Sequence, residues 1–250
     1  MQLQKKIIYG PVQSRRLGRS LGVNLLPLTA KLCSMNCCYC QYGWTSRWTN
    51  TPDAKDGLPP LREIELAIGE VLKSGLTFDY LTFSGNGEPT LHPDFETIVN
   101  RVLKMRATLR LDFKLALLSN GTTTPDPQLR KTFARIDLPM MKLDVGNEAA
   151  FKRMNHGVPP VRFSDILAGI KSLDRVVIQS MFVAGRVDNS TEAQVDTWID
   201  ALREIAPLWV QIYSLDRVAA DNALHTVERA RLMQIARRAQ EATGLQIDVF

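Results

Sequence analysis

The chain has few cysteines and no long apolar run, and each of these features excludes some classes of protein. All four cysteines lie within residues 33–40, so they cannot form a disulfide framework that joins distant elements. No stretch approaches the roughly 18 consecutive apolar residues of a membrane helix, and the N-terminus lacks the apolar run of a signal peptide. We therefore expect a cytoplasmic protein with no membrane partner, whose clustered cysteines bind a metal or act in catalysis.

Acidic residues are missing from the first part of the chain. Residues 1–50 contain no Asp or Glu, although their basic residues are Lys5, Lys6, Arg15, Arg16, Arg19, Lys31 and Arg47. One interpretation is an ordinary solvated basic surface. The other is that the region around the cysteines faces an anionic partner, such as RNA, a phosphorylated substrate or an acidic electron-donor protein.

The chain also lacks repeats of solenoid length and low-complexity segments. It consists instead of short β-branched runs that alternate with longer amphipathic segments. The predicted strands are residues 21–27, 80–84, 113–119, 140–145, 176–183, 209–214 and 245–249. The predicted helices are residues 61–74, 95–105, 127–133, 163–173, 191–205 and 223–242, and residues 44–60 are predicted to form a long loop. This order predicts a single α/β domain over residues 1–250, a parallel sheet of about six βα units closed or partly closed into a barrel.

The cysteines have the spacing C-x3-C-x2-C, formed by Cys33, Cys37 and Cys40, on a loop after the first predicted strand. A structural zinc site normally takes two pairs of ligands, and no second pair exists here. An electron-transfer cluster normally takes a fourth cysteine at spacings that this chain does not have. Three thiolates would leave one iron of a four-iron cluster open. Small buried packing residues are the remaining alternative, and they are the favoured interpretation of Cys38.

This motif, with Tyr39 directly before the last cysteine, resembles that of the radical S-adenosylmethionine (SAM) superfamily. The resemblance implies a 4Fe-4S cluster held by Cys33, Cys37 and Cys40. It also implies that the open iron binds the amino and carboxylate groups of SAM, and that the backbone near Tyr39 contacts the adenine. The fold that it implies is a partial parallel (β/α)6 barrel.

A second motif follows the second predicted strand, where Gly85, Gly87, Glu88 and Pro89 lie in a tight turn. Glycines let a backbone approach a ligand closely, and a carboxylate accepts hydrogen bonds from an ammonium group. The turn is similar to the Gly-Gly-Glu element that holds the methionine amino group in the same superfamily. Asn86 stands where that element has its first glycine.

Two further strands end in polar residues. Ser119 and Asn120 follow the third predicted strand, and Asp144 ends the fourth; such residues also finish strands and cap loops in many proteins. By resemblance, Ser119 and Asn120 would contact the SAM carboxylate and Asp144 the ribose. Gln179 and the pair Tyr213 and Ser214 are weaker candidates for the same pocket.

Two further segments are Gly-Pro-Val-Gln-Ser-Arg-Arg-Leu-Gly-Arg-Ser-Leu-Gly at residues 10–22 and Gln-Ile-Tyr-Ser-Leu-Asp at residues 211–216. Together with the cysteine loop and the turn at residues 84–90, they resemble the wyosine-synthase-related branch of the superfamily over nearly the whole chain. The tRNA-modifying members of that branch carry a second cluster, for which this chain has no cysteines to spare. The resemblance implies an enzyme that cleaves SAM with an electron from a low-potential donor, such as a flavodoxin or ferredoxin. The 5′-deoxyadenosyl radical would then abstract hydrogen from a small molecule, RNA or another anionic substrate. An activase that installs a radical on a partner protein and a non-catalytic electron carrier stay open as alternatives.

Overall fold

The computed structural model describes residues 2–250, which form an α/β fold. The strands are β1 (Ile8–Ser14), β2 (Gly18–Val23), β3 (Leu32–Cys33), β4 (Arg47–Trp48), β5 (Tyr80–Phe83), β6 (Lys114–Ser119), β7 (Leu138–Lys142), β8 (Val177–Met181), β9 (Val183–Gly185), β10 (Trp209–Tyr213), β11 (Leu224–Thr226) and β12 (Ile247–Val249). The α-helices are α1 (Leu61–Lys73), α2 (Phe95–Leu109), α3 (Pro127–Phe133), α4 (Glu148–Met154), α5 (Phe163–Lys171), α6 (Glu192–Ile205) and α7 (Arg229–Thr243). Two short 3₁₀ helices cover Ala54–Asp56 and Pro89–Leu91.

The main sheet has eight strands in the order β1-β2-β5-β6-β7-β8-β10-β12. Strand β1 pairs antiparallel with β2, and every other pairing in this sheet is parallel. Helices connect the consecutive parallel strands, as βαβ crossovers require. The sheet curls into a partial barrel, which confirms the predicted fold class. All parallel strands therefore end at one edge, where functional residues gather in such folds.

The two faces of the barrel strands differ in polarity because successive side chains of a strand point to opposite faces. Leu21, Leu81 and Leu117 belong to the main apolar core, which also contains the buried faces of the helices. The residues one position away form the inner face. There Ser20 and Thr82 hydroxyls lie 2.7 Å apart, and the Gln179 amide donates to Gln211 at 2.9 Å. The barrel interior is therefore a polar space.

A small apolar cluster closes one end of this interior. Leu17, from the hairpin turn between β1 and β2, packs with Leu138, Met140 and Val177. Leu138 and Val177 are the first residues of β7 and β8. The cluster therefore lies at the amino ends of the strands, opposite the edge that carries the predicted site.

Several elements differ from the sequence prediction. The predicted helix over residues 223–242 is wrong in its first part, because residues Leu224–Thr226 form β11, which pairs antiparallel with β9, and the helix begins at Arg229. The hairpin strand β1 and helix α4 were not predicted, and the loop over residues 44–60 contains β4 and a 3₁₀ turn. Within residues 2–250, no helix is long and apolar enough to cross a membrane.

Candidate functional site

The cysteine loop begins against the turn that follows β5. The Leu32 N–H donates to the Asn86 carbonyl at 3.0 Å, and the Glu88 N–H donates to the Leu32 carbonyl at 3.2 Å. Gly87 makes this approach feasible, since a Cβ at this position would lie 1.7 Å from the Leu32 carbonyl oxygen. The two predicted motifs are thus joined through their backbones.

The other side of the cysteine loop pairs with the segment that follows α4. The Asn36 N–H donates to the Asn155 carbonyl, and the Cys38 N–H donates to the Met154 carbonyl, each at 3.0 Å. Both contacts use main-chain atoms, so the thiols take no part in them. Main-chain hydrogen bonds therefore hold the loop from two sides.

The four cysteines are all free thiols. Burial, together with the neighbouring Asp144 and Cys40, raises the pKa of Cys37 to about 11. Burial also raises the pKa of Cys33, with Cys37 as the next contribution. The Cys37 thiol thus interacts electrostatically with the thiols of both Cys33 and Cys40.

In the described part of the chain, no three His, Cys, Asp or Glu side chains converge as ligands of a single metal ion. A four-iron cluster has a different requirement, because each of its thiolates binds a separate iron. Three neighbouring thiols on one backbone-held loop fit that group, and they do not form a single-ion zinc site. Cys38 lies outside the C-x3-C-x2-C spacing, and its side chain is buried in the main apolar core.

Asp144 is the centre of a buried hydrogen-bond network beside the cysteine loop. Its Oδ2 accepts hydrogen bonds from the Tyr39 hydroxyl and from Asn155 Nδ2, the latter at 2.9 Å. Its Oδ1 accepts from the Met181 N–H at 2.8 Å and lies 2.8 Å from Lys142 Nζ. Both carboxylate oxygens are therefore in use, and Asp144 ties the residue before Cys40 to the barrel.

Glu88 is a second buried carboxylate, and its surroundings differ from those of Asp144. Its Oε1 accepts from the Thr90 hydroxyl at 2.6 Å, and its Oε2 accepts from the Asn120 N–H at 2.6 Å. Burial raises the pKa of Glu88 above its ordinary value despite these hydrogen bonds. None of the ion pairs formed within residues 2–250 includes Glu88. It is a buried acceptor that lacks a cation.

Gly85 and Pro89 shape the turn around Glu88. A Cβ at Gly85 would lie 2.5 Å from the Asn24 side chain, and its φ of 134° is accessible chiefly to glycine. Pro89 is the first residue of the 3₁₀ helix that Glu88 caps. Gly85 and Gly87 therefore serve the approach of protein segments, namely Asn24 and the cysteine loop.

Ser119 and Asn120 connect the end of β6 to the cysteine loop. Asn120 Nδ2 donates to Ser34 Oγ at 3.0 Å and to Cys33 Sγ at 3.5 Å. Ser119 Oγ accepts from the Gly121 N–H at 3.1 Å and is hydrogen bonded to Glu88. The residues predicted from separate strand ends are thus brought together.

Three residues of this region were not predicted. Asn155 donates to Cys37 Sγ at 3.6 Å as well as to Asp144. The buried Lys31 donates to the Gly43 carbonyl at 2.7 Å, and its charge lowers the pKa of the Cys33 and Cys37 thiols against the larger effect of burial. Lys142 pairs with Asp144. No spacing rule marks any of them, because Asn155 lies 118 residues from Cys37 and the roles of Lys31 and Lys142 depend on how the folded chain surrounds them.

The weaker candidates lie on the carboxyl-terminal parts of β8 and β10. Gln179 is on the inner face of the barrel, and the Tyr213 hydroxyl accepts from Lys142 Nζ at 3.0 Å. Ser214 Oγ donates to the Phe182 carbonyl at 2.7 Å and accepts from the Val227 N–H, which holds the following loop.

The basic residues of the first fifty do not form one continuous surface. Arg15 pairs with Asp216, and Arg19 pairs with Asp79, each at 3.0 Å. Arg47 pairs with Asp56, and Lys31 is buried. Arg16 instead lines a cavity inside the barrel. The uneven charge seen in the sequence therefore has several separate structural roles.

The family model described as the Radical SAM superfamily matches residues 28–205. A relative described as GTPase Obg, from Brachyspira hyodysenteriae, is 27% identical over 99% of this chain and 35% of its own length. The UPF0026 protein slr1464 from Synechocystis sp. is 30% identical over 82% of this chain and 74% of its own length. The chain thus spans about a third of the first relative and about three quarters of the second.

Among solved structures, TYW1 with a lysine-pyruvate adduct bound superposes with a TM-score of 0.60. It is 15% identical, and the match covers 89% of this chain and 73% of that chain. At this identity the likeness shows a common fold, which agrees with the resemblance to the wyosine-synthase-related branch.

Proposed function

The chain belongs to the radical SAM superfamily, and we propose that it cleaves SAM reductively and uses the resulting radical to abstract hydrogen from a substrate. Membership confirms three predictions: the family, an enzyme, and the cofactors, a 4Fe-4S cluster and SAM. The observation that carries the proposed reaction is the position of the cysteine loop against the turn of Glu88, a buried carboxylate that forms no ion pair within residues 2–250. The Glu88 N–H donates to the Leu32 carbonyl, and Asn120 donates to both Glu88 and the Cys33 sulfur.

Cys33, Cys37 and Cys40 would hold the cluster through one iron each. Asn120 and Asn155 support this assignment, since their amide groups already donate to the sulfurs of Cys33 and Cys37. Such hydrogen bonds orient the ligands of a metal site and tune its potential. Lys31 adds a nearby positive charge that favours the thiolate forms.

Glu88 would bind the ammonium group of SAM, because an ammonium supplies the cation that this buried carboxylate lacks. Ser119 and Asn120 lie on the same side and would contact the SAM carboxylate, while the backbone near Tyr39 would contact the adenine. Asp144 would lie at the ribose, where a hydroxyl would have to replace one of its present hydrogen-bond donors.

When bound, the reduced cluster supplies the electron that splits SAM into methionine and a 5′-deoxyadenosyl radical. The contribution of the chain is to position the reactants and exclude water. Gly87 lets the Glu88 turn pack against the start of the cysteine loop. The two proposed cofactor-binding elements are therefore held together through their main chains. The polar barrel interior beside them is the proposed place of the substrate.

The test is anaerobic reconstitution followed by reduction with dithionite. We expect about four irons and four sulfides per chain and formation of 5′-deoxyadenosine and methionine from SAM. Cys33→Ala should abolish both results. Cys38→Ala is the matched control, because Cys38 is a buried cysteine of the same loop that lies outside the C-x3-C-x2-C spacing, and it should retain both.

The same experiment separates a non-catalytic electron carrier from the two enzymatic alternatives, and copurification of RNA or of a partner protein would separate the proposed enzyme from an activase. An electron carrier would bind the cluster without cleaving SAM. Tightly bound zinc and no iron, in protein purified without oxygen, would contradict the proposal. The electron donor is proposed to be a flavodoxin or ferredoxin, and comparison of flavodoxin-driven with dithionite-driven reduction tests it.

A further inference from the structure

The barrel interior contains a cavity of about 300 Å³. Ser20 and Gly22 of β2, Thr82 of β5 and Gln179 of β8 line it, which places it on the inner face of the sheet. Leu17 closes its lower end, at the amino ends of the strands. A cavity of this volume is at the lower end of the range for small-molecule sites.

The cavity borders the proposed SAM site. Gly85 and Gly87 line it, and they belong to the same turn as Glu88. Gln41 and Tyr42, which directly follow the last motif cysteine, line another side. A molecule in this cavity would therefore lie next to the turn and the loop that carry the proposed cofactor ligands.

The charged residues that line the cavity are all basic. Arg16 and Arg217 contribute guanidinium groups, and no Asp or Glu is among the lining residues of the described chain. Tyr9 and Tyr42 also line it, and their phenol hydroxyls are potential hydrogen-bond donors. The lining is thus suited to an anion.

Arg16 carries an unused hydrogen-bond donor. Its Nη1 is buried and has no hydrogen-bond partner among residues 2–250. The guanidinium is held over the Tyr213 ring, with Cζ 4.2 Å from the ring centroid, and this contact uses the π face and none of the N–H groups. Buried polar groups are normally paired, since leaving a donor unsatisfied costs about 1–3 kcal/mol. A buried donor without a partner, on a residue that lines a cavity, indicates a ligand.

The neighbouring arginine shows that this arrangement is specific to Arg16. Arg15 is exposed and forms an ordinary surface ion pair with Asp216 at 3.0 Å. The turn between β1 and β2 holds both residues, because Ser14 Oγ accepts from the N–H groups of Arg16 and Leu17, each at 3.2 Å. This turn sends Arg15 outward and Arg16 inward.

We propose that this cavity is the substrate site and that it takes a small molecule with a carboxylate or phosphate group, bound by Arg16 and Arg217. The guanidinium fork of arginine matches the geometry of both oxyanions. The assignment of the site to a substrate rests on the proposed function, because it places the molecule beside the radical source. The assignment of an anion rests on Arg16 and the lining alone.

The test measures binding of succinate and of inorganic phosphate, with succinamide as the uncharged match of succinate, to the reconstituted protein at low ionic strength. Isothermal titration should detect at least one of the two anions, and the one that binds identifies the charged group. Succinamide should not bind. Arg16→Gln should weaken anion binding by about tenfold or more, whereas Arg15→Gln should leave it unchanged.

Arg16→Lys covers the case in which Arg16→Gln does not fold. It keeps the charge but loses the planar fork, so we expect an affinity between those of the wild type and Arg16→Gln. Full anion binding in Arg16→Gln would overturn the proposal. If Arg16→Gln does not fold, wild-type affinity in Arg16→Lys would overturn it instead. Binding of RNA without binding of either small anion would also overturn it, because RNA does not fit inside a cavity of this size.

Repeating the titration with Cys33→Ala separates this inference from the proposed function. Anion binding that persists in a protein unable to assemble a cluster supports the site even if SAM cleavage fails. SAM cleavage by a wild-type protein that binds neither succinate nor phosphate would leave the proposed function standing and refute the anion site.

Discussion

Nζ of Lys142 lies 2.8 Å from Oδ1 of Asp144, and the two side chains form a buried ion pair beside the cysteine loop. Burial alone lowers the pKa of Lys142, but Asp144 and Tyr213 outweigh it and hold the pKa above its ordinary value. Lys142 is therefore charged in the folded protein. Its charge compensates a carboxylate that also anchors Tyr39.

Replacing Lys142 with Met should destabilise the fold, because it leaves the Asp144 carboxylate buried without its cation. Breaking a buried ion pair in this way costs about 3–5 kcal/mol, which urea titration of the variant would measure. Lys152→Met is the control, because Lys152 forms an exposed i,i+4 pair with Glu148 at 3.6 Å and should change stability by about 0.5 kcal/mol or less. Similar small losses of stability in both variants would show that the buried ion pair contributes no more to stability than the exposed pair.

Gly87→Ala should separate the Glu88 turn from the cysteine loop. The added Cβ would lie 1.7 Å from the Leu32 carbonyl oxygen, and the φ of 143° is strained for any residue with a Cβ. We expect a lower melting temperature and little cluster assembly on reconstitution. Gly69→Ala is the matched control, since a Cβ within α1 meets nothing and should stabilise the helix by roughly 0.5–1 kcal/mol.

The raised pKa of Glu88 predicts the direction in which the stability of the fold changes with pH. Burial raises the pKa of Glu88 above 4.5, its ordinary value, so its ionisation is easier in the unfolded chain. Its contribution to stability is complete below pH 4.5 and is lost as the pH rises through the raised pKa. The difference in melting temperature between Glu88→Gln and the SAM-free wild type should therefore shift in favour of the variant as the pH rises.

SAM binding should show the opposite trend at Glu88. The ammonium group binds the ionised carboxylate, so affinity should increase as the pH rises through the raised pKa of Glu88. Glu88→Gln should bind SAM weakly and lose this dependence in equilibrium dialysis. A variant with wild-type affinity would remove Glu88 from the proposed site.

Asn155→Ala should shift the cluster to a more negative midpoint potential, because hydrogen bonds to cluster sulfurs favour the reduced state. The wild-type amide donates to Cys37 Sγ at 3.6 Å. The measurement is a spectroscopically monitored redox titration of protein with equal iron content. Asn100→Ala, on the exposed side of α2, should leave the potential unchanged, and an equal shift in both variants would rule out a specific role for Asn155.

The parallel strands and most helices could be predicted because the spacing of their apolar residues is visible within each short segment of the sequence. The sequence did not predict β1, which has a partly exposed pattern interrupted by a bulge, or the seven-residue helix α4. Residues 223–228 continue the apolar spacing of α7, yet Leu224–Thr226 pair with β9. Tertiary pairing overrides helical periodicity at that position.

The residues of the candidate site also fall into two groups, those marked by a local sequence motif and those placed by contacts between distant parts of the chain. The cysteine spacing and the turn at Glu88 are local signals, and the structure brings them together. The contacts of Asn155 with Cys37 and of Lys142 with Tyr213 join positions 118 and 71 residues apart. Arg16 was predicted only as part of the basic segment and of the motif at residues 10–22, in which nothing separates it from Arg15.

The backbone contacts of the cysteine loop bear on what happens after oxidative damage. Leu32, Asn36 and Cys38 hold the loop through main-chain hydrogen bonds that involve no sulfur. A cluster destroyed by oxygen would leave these bonds intact, with the three thiols still beside one another. Repair would then require only iron, sulfide and reductant, with no unfolding or new synthesis of the chain.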